Sequence, residues 1–284
     1  MPGQPLTQTP VSGDPARPRP SGHGEHLVNP ATSHSPRSGV IVTGGASGIG
    51  LASAEALAAV GRPVAIWDLR AADAGRAASD IAARFGVPTV GLGIDLCGTD
   101  GIAAAVAATR VALTSIGGLV HAAGVSMAIP LEDLAVAQWD AVLNVNLRAL
   151  PFVVKAIRAD LAANAGSAVV GIASINATLG NWMNPAYTAS KGGMLSLVRS
   201  LADDLGRDGV RVNSVSPGQI RTPMMQPVLD TLSDQAFTKR ILLGRIGVPR
   251  EIATVVRFLM SDEASYVTAA EIVVDGGNIS SQRG

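Results

Sequence analysis

Two residues one helical turn apart, Tyr187 and Lys191, could carry acid–base chemistry. Pro185 opens a run of good helix formers, so the sequence predicts a helix in which residues four positions apart share a face. A phenol has a reference pKa of about 10, and a neighbouring ammonium group lowers that value. A tyrosine tuned in this way can exchange a proton with an alcohol or a ketone. For the Tyr-x-x-x-Lys pattern alone, an accidental pair on an ordinary helix is the more frequent explanation.

A glycine-rich loop has the composition of a phosphate cradle. It lies between a predicted buried strand, residues 40–43, and a predicted helix, residues 51–60. Gly44 allows a tight turn, Gly48 lets backbone approach a pyrophosphate, and Gly50 allows close packing of helix on strand. The helix N-terminus adds free N–H groups and the positive end of its dipole. This context predicts dinucleotide binding, whereas a lone glycine cluster is often only a loop.

An acidic residue, Asp68, follows the second predicted strand, residues 63–67. It lies roughly 20 residues past the glycines, where a carboxylate hydrogen-bonds to the ribose hydroxyls of an adenosine. Its charge repels a 2′-phosphate, so the sequence favours NAD over NADP. Arg70 nearby could still support NADP, and Asp68 could instead cap the following helix.

Strands and helices alternate along the rest of the chain. Further strands are predicted at 88–94, 118–124, 167–173, 210–215 and 272–274, and helices at 71–85, 99–115 (capped by Thr99 or Asp100), 138–163 and 185–207. Such alternation implies right-handed βαβ units. We therefore predict an α/β, three-layer Rossmann fold with a seven-stranded parallel sheet. Ligands of these sheets bind beyond the carboxyl ends of the strands, where Ser174 follows the fifth strand.

Composition narrows the functional classes. Of 284 residues, 47% are hydrophobic, and 22 basic residues balance 22 acidic ones, so there is no basic excess for nucleic acid. No stretch has the apolar length of a membrane span, and no secretory signal is recognised. The single cysteine, Cys97, suits a reducing compartment. We expect a cytoplasmic protein that binds neither nucleic acid nor membrane.

The first 37 residues differ from the remainder. Residues 1–37 are rich in Pro, Gly, Ser, Thr and His without periodicity, which predicts a disordered extension. Three histidines there have poor spacing for a metal, and we predict no metal site. Residues 38–284 are predicted to form a single Rossmann-type catalytic domain that binds NAD or NADP.

Together, these motifs resemble the short-chain dehydrogenase/reductase superfamily over roughly residues 38–279. The loop Thr43-Gly44-x-x-x-Gly48-Ile49-Gly50 matches the family's cofactor loop, and Tyr187-x-x-x-Lys191 matches its active-site pair. Ser174 precedes Tyr187 by thirteen residues, as the catalytic serine does in the family. The C-terminal signatures are matched by Ser216-Pro217-Gly218-Gln219-Ile220-Arg221-Thr222, Gly244-Arg245-x-Gly247-x-Pro249 and Val274-Asp275-Gly276-Gly277.

The resemblance implies a role for each matched residue. Tyr187 is the acid and base, and Lys191 lowers its pKa and binds the nicotinamide ribose. Ser174 donates a hydrogen bond to the substrate oxygen, and Asn146 supports a water-linked proton path from Lys191. The implied cofactor-binding residues are Gly44, Ser47, Gly48, Ile49, Gly50, Asp68, Asp95, Leu96, Ala123, Gly124, Tyr187, Lys191, Pro217, Gly218, Ile220 and Thr222.

Two positions depart from the family pattern. His121 stands where the family usually has asparagine, and we predict a buried neutral histidine bonded to backbone rather than a titrating group. Ala269 stands where the family favours glycine, which concerns only a local turn.

The implied activity is reversible hydride transfer between a secondary alcohol or ketone and NAD, with NADP less favoured. A non-catalytic dinucleotide-binding regulator or scaffold is the alternative, but it would not need the complete catalytic set. Isomerase or nucleotide-sugar chemistry on the same fold is a third possibility, and the serine–tyrosine spacing argues against it. The resemblance also implies a homotetramer or homodimer built on helices 138–163 and 185–207.

The substrate stays open among polyols, cyclic alcohols and oxoacyl groups. Several apolar side chains could form a lid and one wall of the substrate site, or could be ordinary packing residues. They are Met224, Met225, Leu229 and Phe237 for the lid, and Trp182 and Met183 for the wall.

Overall fold

A computed structural model describes residues 36–280. The predicted disordered extension lies outside the described residues except for positions 36 and 37, so the division into extension and domain stays a prediction. Seven strands form one sheet: β1 Gly39–Thr43, β2 Val64–Asp68, β3 Thr89–Gly93, β4 Ile116–His121, β5 Ala168–Ile172, β6 Arg211–Pro217 and β7 Glu271–Val274.

All neighbouring strands pair in parallel, in the order β3-β2-β1-β4-β5-β6-β7. Strands β1, β4 and β5 are buried at every position, because their continuous apolar runs are covered on both faces. The strand order reverses between β1 and β4, and such a reversal opens a crevice at the carboxyl ends. The predicted fold class is therefore confirmed.

The helices form the two outer layers. Their bounds are α1 Gly48–Ala58, α2 Ala71–Phe85, α3 Ile102–Leu113, α4 Val136–Leu143, α5 Ala149–Ala163, α6 Pro185–Leu205, α7 Gln226–Leu229, α8 Asp234–Thr238 and α9 Pro249–Leu259. Helices α3, α5 and α6 share one apolar cluster with the sheet, and α1, α2 and α9 share a second. Within residues 36–280, no helix is both long and apolar enough to cross a membrane.

One long helix, predicted over 138–163, is interrupted. Helix α4 passes into a π turn, Asn144–Arg148, before α5 begins. Pro151 lacks the N–H that a regular helix would donate to Leu147, and the wider turn just before it accommodates this break. The predicted helix cap at Thr99 or Asp100 is also wrong, because α3 begins at Ile102 after Gly101.

Candidate active site

A cleft of about 920 Å³ lies where β1 to β6 end. Every residue predicted to bind the cofactor lines it, and so does Ser174. Of the predicted catalytic residues only Asn146 is not part of the lining, although its neighbour Val145 is. The fold thus brings the glycine loop, the acidic residue after β2 and the Tyr-x-x-x-Lys pair to one place.

The glycine loop has the shape that a phosphate group requires. Gly44 has a φ of +62°, and a Cβ there would lie 2.8 Å from the backbone of Ala123. A Cβ on Gly50 would lie 2.1 Å from the carbonyl oxygen of Gly44, so this turn cannot hold a side chain. Ser47 is the N-cap of α1, but its hydroxyl bonds none of the N–H groups of the first turn. Those N–H groups fit an anion at the helix N-terminus.

Asp68 ends β2 at the rim of the cleft. Its carboxylate accepts hydrogen bonds from the backbone N–H of Ala46 at 3.2 Å and of Arg70 at 3.3 Å. It does not cap α2, whose N-cap is Arg70 with no side-chain cap bond. The guanidinium of Arg70 pairs instead with Asp73, and Arg76 pairs with the same carboxylate.

Tyr187 and Lys191 face each other one turn apart on α6, with the Nζ of Lys191 5.4 Å from the centre of the tyrosine ring. The ammonium donates one hydrogen bond, to the carbonyl oxygen of Ile172 at 2.7 Å. Burial lowers the pKa of Lys191 to about 8. A lysine with this pKa sits close to the boundary between its charged and neutral forms at physiological pH.

The pKa of Tyr187 moves opposite to our prediction. Although Tyr187 is only half-buried by surface area, the surrounding protein raises the pKa of its phenol, and the neighbouring Ser174 hydroxyl opposes this. Lys191 does not lower the pKa of Tyr187 within the protein's own residues, because the lysine would itself lose its proton before the phenol ionises. A spacing of four residues therefore brings Lys191 next to Tyr187 without lowering the pKa of the phenol.

Ser174 stands two residues beyond the end of β5 and is buried, with 8% of its surface exposed. Its oxygen accepts a hydrogen bond from the backbone N–H of Asn176 at 3.1 Å, which leaves the hydroxyl proton for another acceptor. The serine hydroxyl therefore has a proton to donate, and its hydrogen bond with Tyr187 acts to lower the pKa of the phenol.

Asn146 lies in the π turn and is completely buried. Its Oδ1 accepts from the N–H of Val125 at 2.8 Å, and its Nδ2 donates to the carbonyl of Val125 at 3.0 Å and to the hydroxyl of Ser190 at 3.1 Å. The side chain thus ties the loop after β4 to α6 from behind the cleft wall.

His121 ends β4 and connects three elements. Its Nδ1 lies 2.9 Å from the hydroxyl of Thr43, and its Nε2 lies 3.2 Å from the carbonyl oxygen of Val145 in the π turn. Only the Nε2–H tautomer satisfies both contacts, because a carbonyl can only accept. Burial, followed by the charge of Lys191, lowers the pKa of His121 to about 4. The predicted neutral, backbone-bonded histidine is confirmed.

The cleft lining corrects our view of the substrate end. Trp182 is 77% exposed and lies outside the lining, as does Leu229. Polar side chains that the sequence patterns did not indicate also line the cleft, namely Ser126, Asn176, Asn181 and Asn184, and the apolar ones include Met183, Met224, Met225, Val228, Leu232 and Phe237. One local signal could have indicated Asn184, because it directly precedes Pro185 at the start of α6.

Comparisons with known proteins agree with this geometry. Residues 44–278 match the family described as enoyl-(acyl carrier protein) reductase. An uncharacterized short-chain type dehydrogenase/reductase of Sinorhizobium fredii is 37% identical over 241 residues, and this chain spans 43% of that protein's length. The D-threitol dehydrogenase of Mycolicibacterium smegmatis is 35% identical, and the aligned region covers 84% of this chain and 91% of that enzyme.

A second enzyme and a solved structure extend the comparison. The cyclopentanol dehydrogenase of Comamonas testosteroni is 35% identical, with 84% of this chain and 95% of that enzyme covered. The crystal structure of a putative 2-deoxy-D-gluconate 3-dehydrogenase from Agrobacterium tumefaciens with bound NADP is 34% identical, with a TM-score of 0.76 over 86% of this chain and 96% of the other. This chain belongs to the short-chain dehydrogenase/reductase superfamily, whose members are oxidoreductases that bind nicotinamide cofactors.

Proposed function

We propose that this protein is an NAD-dependent oxidoreductase that transfers a hydride reversibly between the cofactor and a secondary alcohol or ketone. Ser174, Tyr187 and Lys191 carry the reaction, and Asn146 holds the surrounding elements in place. One observation supports this most strongly. Ser174, Tyr187 and Lys191 line the same cleft as the glycine loop and the N-terminus of α1, which has no side-chain cap. The printed names of two relatives, a D-threitol and a cyclopentanol dehydrogenase, agree with an alcohol substrate.

Each side chain has a separate task in the proposed reaction. In the reducing direction, the phenol of Tyr187 gives its proton to the carbonyl oxygen, and its raised pKa keeps that proton available. Ser174 donates a hydrogen bond to the same oxygen and stabilises the charge that develops there. A bound nicotinamide ring supplies the hydride donor or, when oxidised, the acceptor and a positive charge. In the oxidising direction, the alcohol proton passes to the phenolate of Tyr187, which the hydroxyl of Ser174 stabilises because its hydrogen bond opposes the rise in the pKa of the phenol. Lys191 would bind the nicotinamide ribose, the role that the family resemblance implies.

The choice of NAD rests on the charges around Asp68. Its carboxylate stands at the end of β2, where a 2′-phosphate would be repelled, and the guanidinium of Arg70 is paired with Asp73. We expect kcat/KM for NAD to exceed that for NADP by about tenfold or more, since about 1.4 kcal/mol of repulsion suffices. Asp73→Asn should shift this ratio a few-fold toward NADP by releasing Arg70. A wild-type preference for NADP would overturn the NAD assignment. This outcome has a precedent, because the similar Agrobacterium tumefaciens structure contains bound NADP.

Replacing the phenol tests the reaction itself. A panel of alcohols and ketones, followed by NADH absorbance, first identifies a working substrate. Tyr187→Phe should then lower kcat by a factor of about 10² to 10⁴, the usual contribution of acid–base catalysis, while NADH binding measured by fluorescence stays near wild type. Tyr266→Phe is the matched control, because it changes the other tyrosine of the chain, which is fully exposed.

Two results would contradict the proposal. A Tyr187→Phe variant that kept most of its activity would remove the tyrosine from the mechanism. A protein that bound NADH but turned over none of the panel would favour the alternative, a non-catalytic dinucleotide-binding regulator or scaffold.

We also propose a homodimer or homotetramer built on α5 and α6, in the cytoplasm. Phe152 on α5 is 42% exposed, which suits a helix face covered by another copy. The location rests on cysteine usage, since Cys97 is the only cysteine. Light scattering that gave a monomer mass, or recovery of the native protein outside the cytoplasm, would contradict these two proposals.

A further inference from the structure

The charged side chains of the cleft are gathered at one of its ends. Among residues 36–280, four charged residues line the cleft, namely Asp68, Arg70, Asp95 and Lys191. The first three stand at the carboxyl ends of β2 and β3. Neighbouring strands lie about 4.8 Å apart, so β6 is four spacings, about 19 Å, from β2. Salt screens charges at that separation, because the Debye length is about 8 Å at physiological ionic strength.

The opposite end of the cleft, after β6, is lined by apolar side chains. They belong to the α7–α8 segment, residues 224–237, and are Met224, Met225, Val228, Leu232 and Phe237. Met224 is 48% exposed, Val228 is 43% exposed and Leu232 is 47% exposed. This segment therefore presents an accessible apolar surface to the cleft, which an apolar group of a ligand would remove from water.

The charged side chains on and beside the α7–α8 segment are engaged outside the cleft. Arg221 lies between two residues of the lining, but its guanidinium donates to the carboxylate of Asp234 at 2.7 Å. The carboxylate of Asp230 accepts a hydrogen bond from the side chain of Gln226 at 2.7 Å. None of these four residues lines the cleft, so they offer no counter-charge to a ligand there.

The loops after β4 and β5 add side chains that are polar but uncharged. The Nδ2 of Asn184 donates to the hydroxyl of Ser126 at 2.7 Å. The Oδ1 of Asn181 accepts a hydrogen bond from the backbone N–H of Met183 at 3.1 Å. Part of the hydrogen-bonding capacity of these side chains is thus used within the protein, and none of them can neutralise a charge.

Lys191 is the one cation of the lining that stands near the reacting groups. Its ammonium donates to the carbonyl oxygen of Ile172, and the family resemblance assigns it to the nicotinamide ribose. An anionic group against the α7–α8 segment would therefore lose hydration without gaining an opposite charge, which is costly. An apolar group at the same place gains from leaving water.

From these contacts we infer that the substrate is an uncharged ketone or secondary alcohol whose apolar carbon body packs against the α7–α8 segment, and that anionic substrates are rejected. This substrate class rests on the proposed function, which it narrows. The oxygen of the substrate would meet Ser174 and Tyr187, while its carbon body would contact side chains such as Met225 and Val228.

Three ketones of the same shape separate charge from polarity. 5-Methylhexan-2-one, 4-oxopentanamide and 4-oxopentanoate share one carbon skeleton and end in an isopropyl, a carboxamide and a carboxylate group. With NADH, we expect kcat/KM of the wild type to be about tenfold higher for the isopropyl ketone than for the amide, since two methyl groups leave water. It should be about a hundredfold higher than for the carboxylate, which loses hydration without a counter-charge.

Two neighbouring positions on α7 provide a matched pair of variants. Val228 lines the cleft and Leu229 does not. Val228→Lys should lower the ratio of kcat/KM between the isopropyl ketone and the carboxylate by about tenfold or more, because it places a cation beside the carboxylate. Leu229→Lys is the control and should keep the wild-type ratio. Melting temperatures identify a misfolded variant, and Leu232→Lys then replaces Val228→Lys, because Leu232 also lines the cleft.

Equal kcat/KM for the three ketones, or faster reduction of the amide or the carboxylate, overturns the inference and leaves the proposed hydride transfer intact. A ratio that changes equally in Val228→Lys and Leu229→Lys also overturns it. If no ketone is reduced, calorimetric binding to the protein with NADH decides. Tightest binding of the isopropyl ketone supports the inferred substrate class even though the proposed reaction has failed, and any other order, or no binding, overturns it.

Discussion

The two ends of the sheet both bury positive charge, but they treat it differently. At the amino ends of the strands, Arg62 is fully buried and donates to the carbonyl oxygens of Ser38 at 2.9 Å and Met260 at 3.0 Å. Arg211 nearby donates to the carbonyl of Leu259 at 2.7 Å. Both arginines thereby satisfy carbonyls at the end of α9, where a positive charge is also favoured by the helix dipole.

At the carboxyl ends, the buried polar groups are left partly unpaired. Among residues 36–280, Lys191 makes one hydrogen bond where an ammonium can make three, and the Oδ1 of Asn184 makes none. Burial lowers the pKa of Arg62 to about 10, which keeps it charged, whereas it lowers the pKa of Lys191 to about 8. The three hydrogen bonds of Arg62 stabilise the fold at one end, whereas the ammonium of Lys191 at the other end keeps donors that no described residue uses.

Lys191→Met is the strongest test of this difference between the two ends of the sheet. We expect it to lower kcat by about 10³-fold. The same change should raise the free energy of unfolding at pH 7 by about 2 kcal/mol, because a buried ammonium disfavours the native state. The lowered pKa means that the unfolded chain binds more protons between pH 8 and 10.5, so wild-type stability recovers as pH rises through this window.

The measurement is urea unfolding of both proteins at pH 7 and pH 10, alongside kcat. The stabilisation of the variant should shrink at the higher pH. A variant that was less stable than wild type at both pH values would mean that Lys191 is a structural residue, like the arginines.

At the opposite end, Arg62→Met should lower the free energy of unfolding by about 3 kcal/mol, because buried acceptors at Ser38 and Met260 lose their donor. Turnover of the folded fraction should not change. Arg84→Met is the control, since this exposed guanidinium pairs with Glu55 at the surface and should change stability by less than about 1 kcal/mol. Equal effects of the two substitutions would remove the distinction between the buried and the surface arginine.

His121, a buried polar group at the carboxyl end of β4, should make the stability of the protein sensitive to acid. Its pKa of about 4 in the folded protein lies below the ordinary value of 6.5, so the unfolded chain binds more protons between these limits and stability falls as pH drops through them. Between pH 7 and 5 this amounts to about 2 kcal/mol. His121→Asn, which restores the family's usual residue, should remove that part of the decline in melting temperature. Parallel declines for both proteins would show that His121 is not neutral in the folded state.

We expect the smallest change in stability from a substitution at Ala269, two residues before β7, where the backbone has a φ of +58°. Ala269→Gly should stabilise the protein by about 1 kcal/mol or less, because glycine tolerates this conformation without a Cβ clash. Ala112→Gly within α3 is the matched control and should destabilise by a similar amount. A lower melting temperature for both variants would contradict the strain assigned to Ala269.

The sequence by itself determined the sheet, its helices and most of the cleft. Hydrophobic runs predict buried strands, and the glycines after β1, Asp68 as the last residue of β2 and Ser174 just beyond β5 each stand at the carboxyl end of a strand. Because parallel strands end at one edge, such local patterns suffice to bring distant residues together. The departure at Ala269 was also visible in the sequence, and the structure explains it as a left-handed backbone position.

Only the tertiary structure decided how those residues are paired and how far their pKa values move. The bond between Ser126 and Asn184 joins positions 58 residues apart, and the two contacts of Asn146 to Val125 turn that side chain away from the cleft. Neither follows from local periodicity, because side-chain partners depend on how loops pack after the sheet has formed. The pKa of Tyr187 depends on burial summed over the whole surroundings, which a spacing of four residues does not encode.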